Sequence, residues 1–163
     1  MPPSFRVESA GPADVPAIFA MIRALADYER LSDAVTTSEA ALRDVLFGAS
    51  PAAEVLLGFE DGTPVGMAIF FHNFSTFLGK RGLYLEDLFV KPEYRGRGYG
   101  KALLRHLAGI AVARDCGRME WSVLDWNAPA IGFYRKLGAV PMDEWTVFRL
   151  TGEALAALGS DKG

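Results

Sequence analysis

Between residues 95 and 101 the chain reads Arg-Gly-Arg-Gly-Tyr-Gly-Lys, three glycines interleaved with three cations, at the start of a helical pattern. Glycines let a backbone approach a ligand closely, and the free N–H groups and dipole of a helix N-terminus favour an anion. Over residues 91–105, Lys91, Arg95, Arg97, Lys101 and Arg105 face Glu93 alone, a local charge of +4 in a chain of net charge −3. That asymmetry points to a phosphorylated ligand. The two common phosphate-loop patterns do not fit. A P-loop requires glycine where Arg95 stands and Ser or Thr where Ala102 stands; the dinucleotide pattern requires glycine at Lys101 and an earlier place in the chain. The bland alternative is a glycine-rich surface turn with solvated arginines.

The acidic residues suggest the opposite kind of ligand. Glu86 and Asp87 are adjacent in an apolar run that reads as a strand, so their side chains are expected on opposite faces, with one of them reaching a ligand. A charge in an apolar strand must reach water or a partner, and Asp87 is expected to cap a loop or pair with an arginine. Residues 27–44 hold Asp27, Glu29, Asp33, Glu39 and Asp44 against Arg30 and Arg43. Such an edge suits a cation, or is simply a solvated face. Tyr134, read without further context, is a half-buried aromatic on a helix. His72 and His106 lack ligand spacing, and the lone Cys116 forms neither an internal disulfide nor a thiolate cluster, so no metal site is expected.

The elements that position these residues follow from periodicity. Residues 5–9 alternate as a short strand. Residues 12–31 place Val15, Ile18, Phe19, Ile22, Leu25 and Ala26 at helical spacing, and a second helix runs from a Thr37 or Ser38 cap to Phe47. Runs at 54–59 and 65–71 flank a hairpin turn, and 83–90 is a third strand of this group. Residues 98–115 form a core-facing helix, 119–124 a strand, 129–137 a short helix, 145–150 a last strand and 152–158 a small helix. Hairpins lead in and strand–helix–strand units lead out, so the fold class is α/β with a mixed sheet and helices on both faces. Ligands of such sheets collect where strands diverge, which singles out the loop after residue 90.

The 163 residues, half of them apolar, suit a single domain over 1–163 with an ordered core at about 5–158. A mildly acidic balance argues against nucleic acid as a partner. No apolar stretch reaches the length of a signal peptide or a membrane span, and one cysteine suits a reducing compartment, so a cytoplasmic protein with no membrane association is expected.

Arg95, Gly98 and Gly100 match the R-x-x-G-x-G signature of GNAT-type acetyltransferases. The resemblance extends to the diamine and polyamine branch, the spermidine/spermine and thialysine N-acetyltransferases. It is carried by Tyr28-Glu29, Tyr84-Leu85-Glu86-Asp87, residues 95–101, Trp126-Asn127, Phe133-Tyr134 and Gly138-Ala139. Residues 74–79, Phe-Ser-Thr-Phe-Leu-Gly, resemble the thialysine-type members more than the polyamine-type ones, and the spacing of Asp143 and Glu144 before Trp145 departs from the latter.

The resemblance implies a GNAT-like sheet of about six to seven strands, splayed between the fourth and fifth, with acetyl-coenzyme A in the cleft and no metal. It implies that backbone groups of Leu88, Phe89 and Val90 pair with the pantetheine arm, and that Arg95, Gly96, Arg97, Gly98, Tyr99, Gly100 and Lys101 bind the pyrophosphate. Asn127 and Tyr134 match positions near the thioester, with Tyr134 the general acid. Tyr28, Glu29 and Glu86, with Glu120, Trp121 and Ser122, match contacts to the acceptor, so that of the two adjacent acids the resemblance favours Glu86 as the one facing a ligand.

An alkylammonium of pKa about 10.4 is neutral in roughly one molecule in 10³ to 10⁴ near neutral pH, so a base is needed. Glu86 is open to three roles: base, holder of a water, or partner of the ammonium. The expected activity is acetyl transfer from acetyl-coenzyme A to a small cationic primary amine in a ternary complex, and the resemblance implies a homodimer. A coenzyme A sensor without catalysis and a protein-lysine acetyltransferase are the alternatives, and the presence of both Glu86 and Tyr134 favours an enzyme for small amines.

Overall fold

A computed structural model describes residues 1–160. Two units, Met1–Leu124 and Asp125–Gly163, are taken each by itself.

The first unit is built on a five-stranded sheet in the order β1-β2-β3-β4-β5. Its strands are β1 (Phe5–Ser9), β2 (Glu54–Glu60), β3 (Thr63–Ser75), β4 (Lys80–Val90) and β5 (Arg118–Trp121). Neighbours are antiparallel from β1 to β4, and β4 pairs with β5 in parallel. Between β1 and β2 run α1 (Val15–Tyr28) and α2 (Glu39–Phe47); α3 (Tyr99–Ala113) crosses from β4 to β5.

Helix α1 buries Val15, Ile18 and Ala26 of the expected stripe, and also Met21, which that stripe did not include. Ile18 and Met21 pack with Leu46 of α2 and with Val55, Leu57, Met67, Ile69 and Phe89 of the sheet. The Ser38 hydroxyl caps α2 by accepting from the Ala41 N–H at 3.2 Å. Helix α3 buries Leu103, Leu104, Leu107 and Ala111. Truncating a leucine buried like Leu103, at 0% exposure, costs about 2–5 kcal/mol, so this helix is fixed firmly behind the loop that precedes it.

The sheet has fewer strands than the six to seven expected. Residues 145–150 carry the alternation of a strand, yet no strand among the described residues pairs with them. Without a partner ladder an alternating sequence stays irregular. The hairpin of β3 and β4 runs well beyond its apolar runs, through His72, Asn73, Lys80 and Arg81, because backbone pairing at an exposed hairpin end does not require apolar side chains. The second unit holds α4 (Ala128–Lys136) and α5 (Gly152–Gly159). No helix of the described residues is long and apolar enough to cross a membrane.

Candidate active site

The loop between β4 and α3 has the form its glycines suggest. Gly96 and Gly98 adopt φ of +78° and +82°, the left-handed region. A Cβ at either position would meet nothing within 4 Å, so the space in front of the loop is open and glycine is required there by dihedral angle alone. No side chain caps α3, whose first turn follows Gly98 directly. The N–H groups at this end therefore remain available, at the positive end of the helix dipole, to an anion.

Both arginines of the loop turn onto the protein. Arg95 Nε donates to the Val90 carbonyl at 2.9 Å, and its guanidinium lies 4.9 Å from the centroid of the Tyr28 ring and 5.6 Å from that of Phe89. Arg97 Nη1 donates to both oxygens of Glu60, at 2.7 and 2.8 Å. The Tyr99 hydroxyl donates to the same carboxylate at 2.6 Å. What residues 96–100 turn toward a ligand is thus chiefly backbone, with Lys101 exposed on the first turn of α3.

The strand before the loop offers a second binding edge. The ladder between β4 and β5 covers Gly82 to Leu85 against Arg118 to Trp121 and stops there. On its other side β4 remains paired with β3 as far as Val90, opposite Gly66. Leu88, Phe89 and Val90 therefore have one edge in the sheet and one edge that β5 does not cover, where an extended chain can add as a strand.

Where this edge begins, the strand bulges. Ile69 faces Asp87 and Phe70 faces Leu85, leaving Glu86 as the extra residue. Simple alternation, the basis for expecting Glu86 and Asp87 on opposite faces, does not apply across a bulge. Asp87, expected to play a structural part, is a perturbed carboxyl. Burial, with the nearby charges of Glu86 and Glu29, pushes its pKa up to about 6. Glu29, at the C-terminal end of α1, is itself raised by burial. The charges of Glu86 and Glu29 are thus both close enough to Asp87 to disfavour its ionised form. Nothing in the sequence marks the bulge.

The residues expected further along the acceptor side are already engaged. Glu120 pairs with Arg118 at 3.0 Å, and the Asn73 side-chain amide donates to it at 3.5 Å. The Ser122 and Tyr84 hydroxyls are 2.9 Å apart, and Trp121 stands opposite Leu85 at the last rung of the β4–β5 ladder. In the second unit, Asn127 is buried at the N-terminus of α4, and its side-chain oxygen accepts from the Ala130 N–H at 3.4 Å. Asn127 is thus a helix cap whose fixed place sets the start of α4. Tyr134 is half-buried on α4, its ring centroid 5.7 Å from that of Phe133. Among the described residues no group of three or more His, Cys, Asp or Glu is arranged to hold a metal.

Comparison with known proteins bears on what this arrangement is for. The model of the Acetyltransferase (GNAT) family matches residues 20–139. A thialysine N-epsilon-acetyltransferase of Bos taurus is 40% identical over 165 residues, covering 93% of this chain and 95% of that protein. An L-ornithine N5-acetyltransferase of Arabidopsis thaliana is 34% identical over 198 residues, covering 94% and 87% respectively. Among solved structures, an integron cassette protein from the mobile metagenome of V. cholerae superposes with a TM-score of 0.80 at 26% identity, covering 95% of this chain and 97% of that one.

Proposed function

From the membership of this chain in the GNAT acetyltransferase family, as an N-acetyltransferase close to the thialysine and spermidine/spermine branch, we propose that it transfers acetyl from acetyl-coenzyme A to a small cationic primary amine. The amine we favour is lysine-like or ornithine-like, or a diamine. The observation that carries this choice is the pair Glu86 and Asp87 at the start of the β4 edge that β5 leaves uncovered, with the charge of Glu29 near enough to act on Asp87. Two relatives are named for thialysine and L-ornithine, amino acids that end in a primary amine on a short chain.

In this reading the pyrophosphate sits on the N–H groups of residues 96–101, and the pantetheine arm extends along Leu88 to Val90. Transfer takes place with both substrates bound. The carboxylates hold the ammonium, and Glu86 or Asp87 accepts its proton, directly or through a water, since only the neutral amine is a nucleophile. The nitrogen lone pair attacks the thioester carbonyl carbon, a C–N bond forms, and the C–S bond breaks as the tetrahedral intermediate collapses. Tyr134 supplies a proton to the departing thiolate, and the proton that the nitrogen loses as the amide forms restores the Tyr134 phenol through water. A phenol of pKa near 10 can donate to a thiolate whose thiol has a pKa near 8.5 only when it lies within hydrogen-bond reach of the sulfur, so the position of Tyr134 matters more than its acidity.

The test is acetyl transfer to thialysine, lysine, ornithine, a diamine, spermidine and a neutral aromatic amine. Turnover is expected to be fast with the short amines that carry a second charged group and slow with the aromatic amine. Acetyl-coenzyme A binding without transfer to any of them would make the protein a sensor, and transfer only to lysines of proteins would make it a protein acetyltransferase.

A further inference from the structure

The side chains of Arg97 and Tyr99 leave the ligand side of the loop and converge on one carboxylate. Glu60, the last residue of β2, is 9% exposed. It accepts two bonds from Arg97 and one from Tyr99. The hydrogen bond to Glu60 raises the Tyr99 phenol above its ordinary pKa. Tyr99 is 9% exposed, and its ring stacks on Phe5 of β1 with centroids 3.9 Å apart and planes within 5°. Gly58 makes room for that stack, since a Cβ there would stand 2.7 Å from the Phe5 ring. Arg97 also donates to the Glu93 carbonyl at 3.4 Å.

A carboxylate enclosed to this degree is tolerated only with charge-assisted partners, and Arg97 and Tyr99 supply them. Arg97 stands between Gly96 and Gly98, the two residues of the loop with the widest conformational choice. Its fixed side chain is what limits that choice. Binding is stronger when donors are already oriented than when ordering must accompany it.

We propose that Glu60 is a positioning residue for the phosphate-binding loop. By holding Arg97 and Tyr99 it keeps the backbone N–H groups of residues 96–101 aimed at the pyrophosphate, and Arg97 serves as a strut and not as a phosphate ligand. This rests on the reading that acetyl-coenzyme A binds at this loop.

The test compares wild type, Glu60→Gln, Arg97→Met, the double variant, Tyr99→Phe and Gly98→Val. The affinity for acetyl-coenzyme A is measured by calorimetry at several salt concentrations, with steady-state constants for both substrates. Glu60→Gln and Arg97→Met should each raise the Kd and KM for acetyl-coenzyme A about tenfold, with kcat at saturation and the amine KM within about twofold of wild type. The double variant should be no worse than either single one, because both break the same tie. The salt dependence of binding should match wild type in Arg97→Met, since no phosphate contact is lost.

Tyr99→Phe keeps the stacked ring, loses one bond to Glu60, and should raise the Kd about threefold. It decides the matter should Glu60→Gln not fold. Unchanged or tighter binding in Glu60→Gln, or unchanged binding in Tyr99→Phe where Glu60→Gln does not fold, overturns the strut when Gly98→Val binds weakly. A flatter salt dependence in Arg97→Met does the same by making Arg97 a ligand. Wild-type affinity in Gly98→Val and Glu60→Gln together overturns instead the placement of acetyl-coenzyme A at this loop.

Discussion

The Arg95 guanidinium lies over the ring of Tyr28, 4.9 Å from its centroid, so a side chain from the glycine-rich loop touches the last residue of α1. In the proposed reading these are the donor side and the acceptor side of one reaction. A cation–π contact of this exposed kind is worth about 0.5–1 kcal/mol. Tyr28→Ala should therefore lower kcat/KM for both substrates about threefold or more, while Tyr28→Phe, which keeps the ring, stays within about twofold. A loss confined to the amine would separate the two sides.

The carboxyl of Asp87 sets a pH dependence whose sign is fixed by burial. Its ordinary pKa of 3.8 is raised to about 6 in the folded chain. Between these values the folded protein holds a proton that the unfolded chain has released, so the group contributes stability at low pH that is lost as pH rises through about 6. Asp87→Asn should then be more stable than wild type by about 3 kcal/mol at about pH 7.5 and by little at about pH 4, as read by urea denaturation. An equal difference at both pH values would remove the ionised Asp87 as its cause.

Ammonium recognition by carboxylates should discriminate between acceptors. Glu29→Gln and Glu86→Gln are each expected to lower kcat/KM for cationic amines about 10- to 100-fold, the worth of a hydrogen bond to a charged group, and to leave acetyl-coenzyme A affinity near wild type. Slow neutral aromatic acceptors should lose much less. Equal losses for both kinds of acceptor at Glu29 would end its role as an ammonium partner.

Gly98 tests the loop. Its φ of +82° is one that a β-branched residue rarely adopts, and the space its Cβ would enter is open. Gly98→Val should weaken acetyl-coenzyme A at least tenfold in calorimetry in a protein that still unfolds cooperatively, with Gly98→Ala in between.

Tyr134→Phe removes one oxygen and keeps the ring beside Phe133. Single-turnover acetyl transfer should fall by about 10² to 10⁴, the usual worth of a positioned acid, with acetyl-coenzyme A binding retained. A rate within about threefold of wild type would take Tyr134 out of the chemistry, leaving the carboxyls of β4 as the catalytic candidates.

What could be read in the sequence was local. The apolar spacing of α1 and α3 marked Val15, Ile18, Leu103 and Leu107 as buried, though it missed Met21 and counted the exposed Val112, Ser38 stood where a cap was expected, and the left-handed Gly98 turned up in the loop singled out by its composition. What could not be read depends on partners distant along the chain. Arg97 reads as a phosphate ligand, and nothing in the sequence shows its bond to Glu60, 37 residues away. Asp87 reads as the structural half of a pair until a bulge in β4 and the end of α1 surround it with charge. Residues 145–150 alternate as a strand does, but alternation describes one side of a ladder and says nothing of the other.

The parting of β4 from β5 after Leu85 carries a consequence for the life of the protein. On the proposed reading, the acyl donor completes the sheet that the polypeptide leaves open, so amide protons along residues 86–90 on that edge exchange with solvent in the free protein and become protected when it binds. A ligand that binds only the folded chain stabilises it by about 2.7 kcal/mol at one hundred times its Kd. The resistance of this protein to unfolding and to proteolysis would then follow the local supply of acetyl-coenzyme A, and a cell short of the donor would hold less of the enzyme that consumes it.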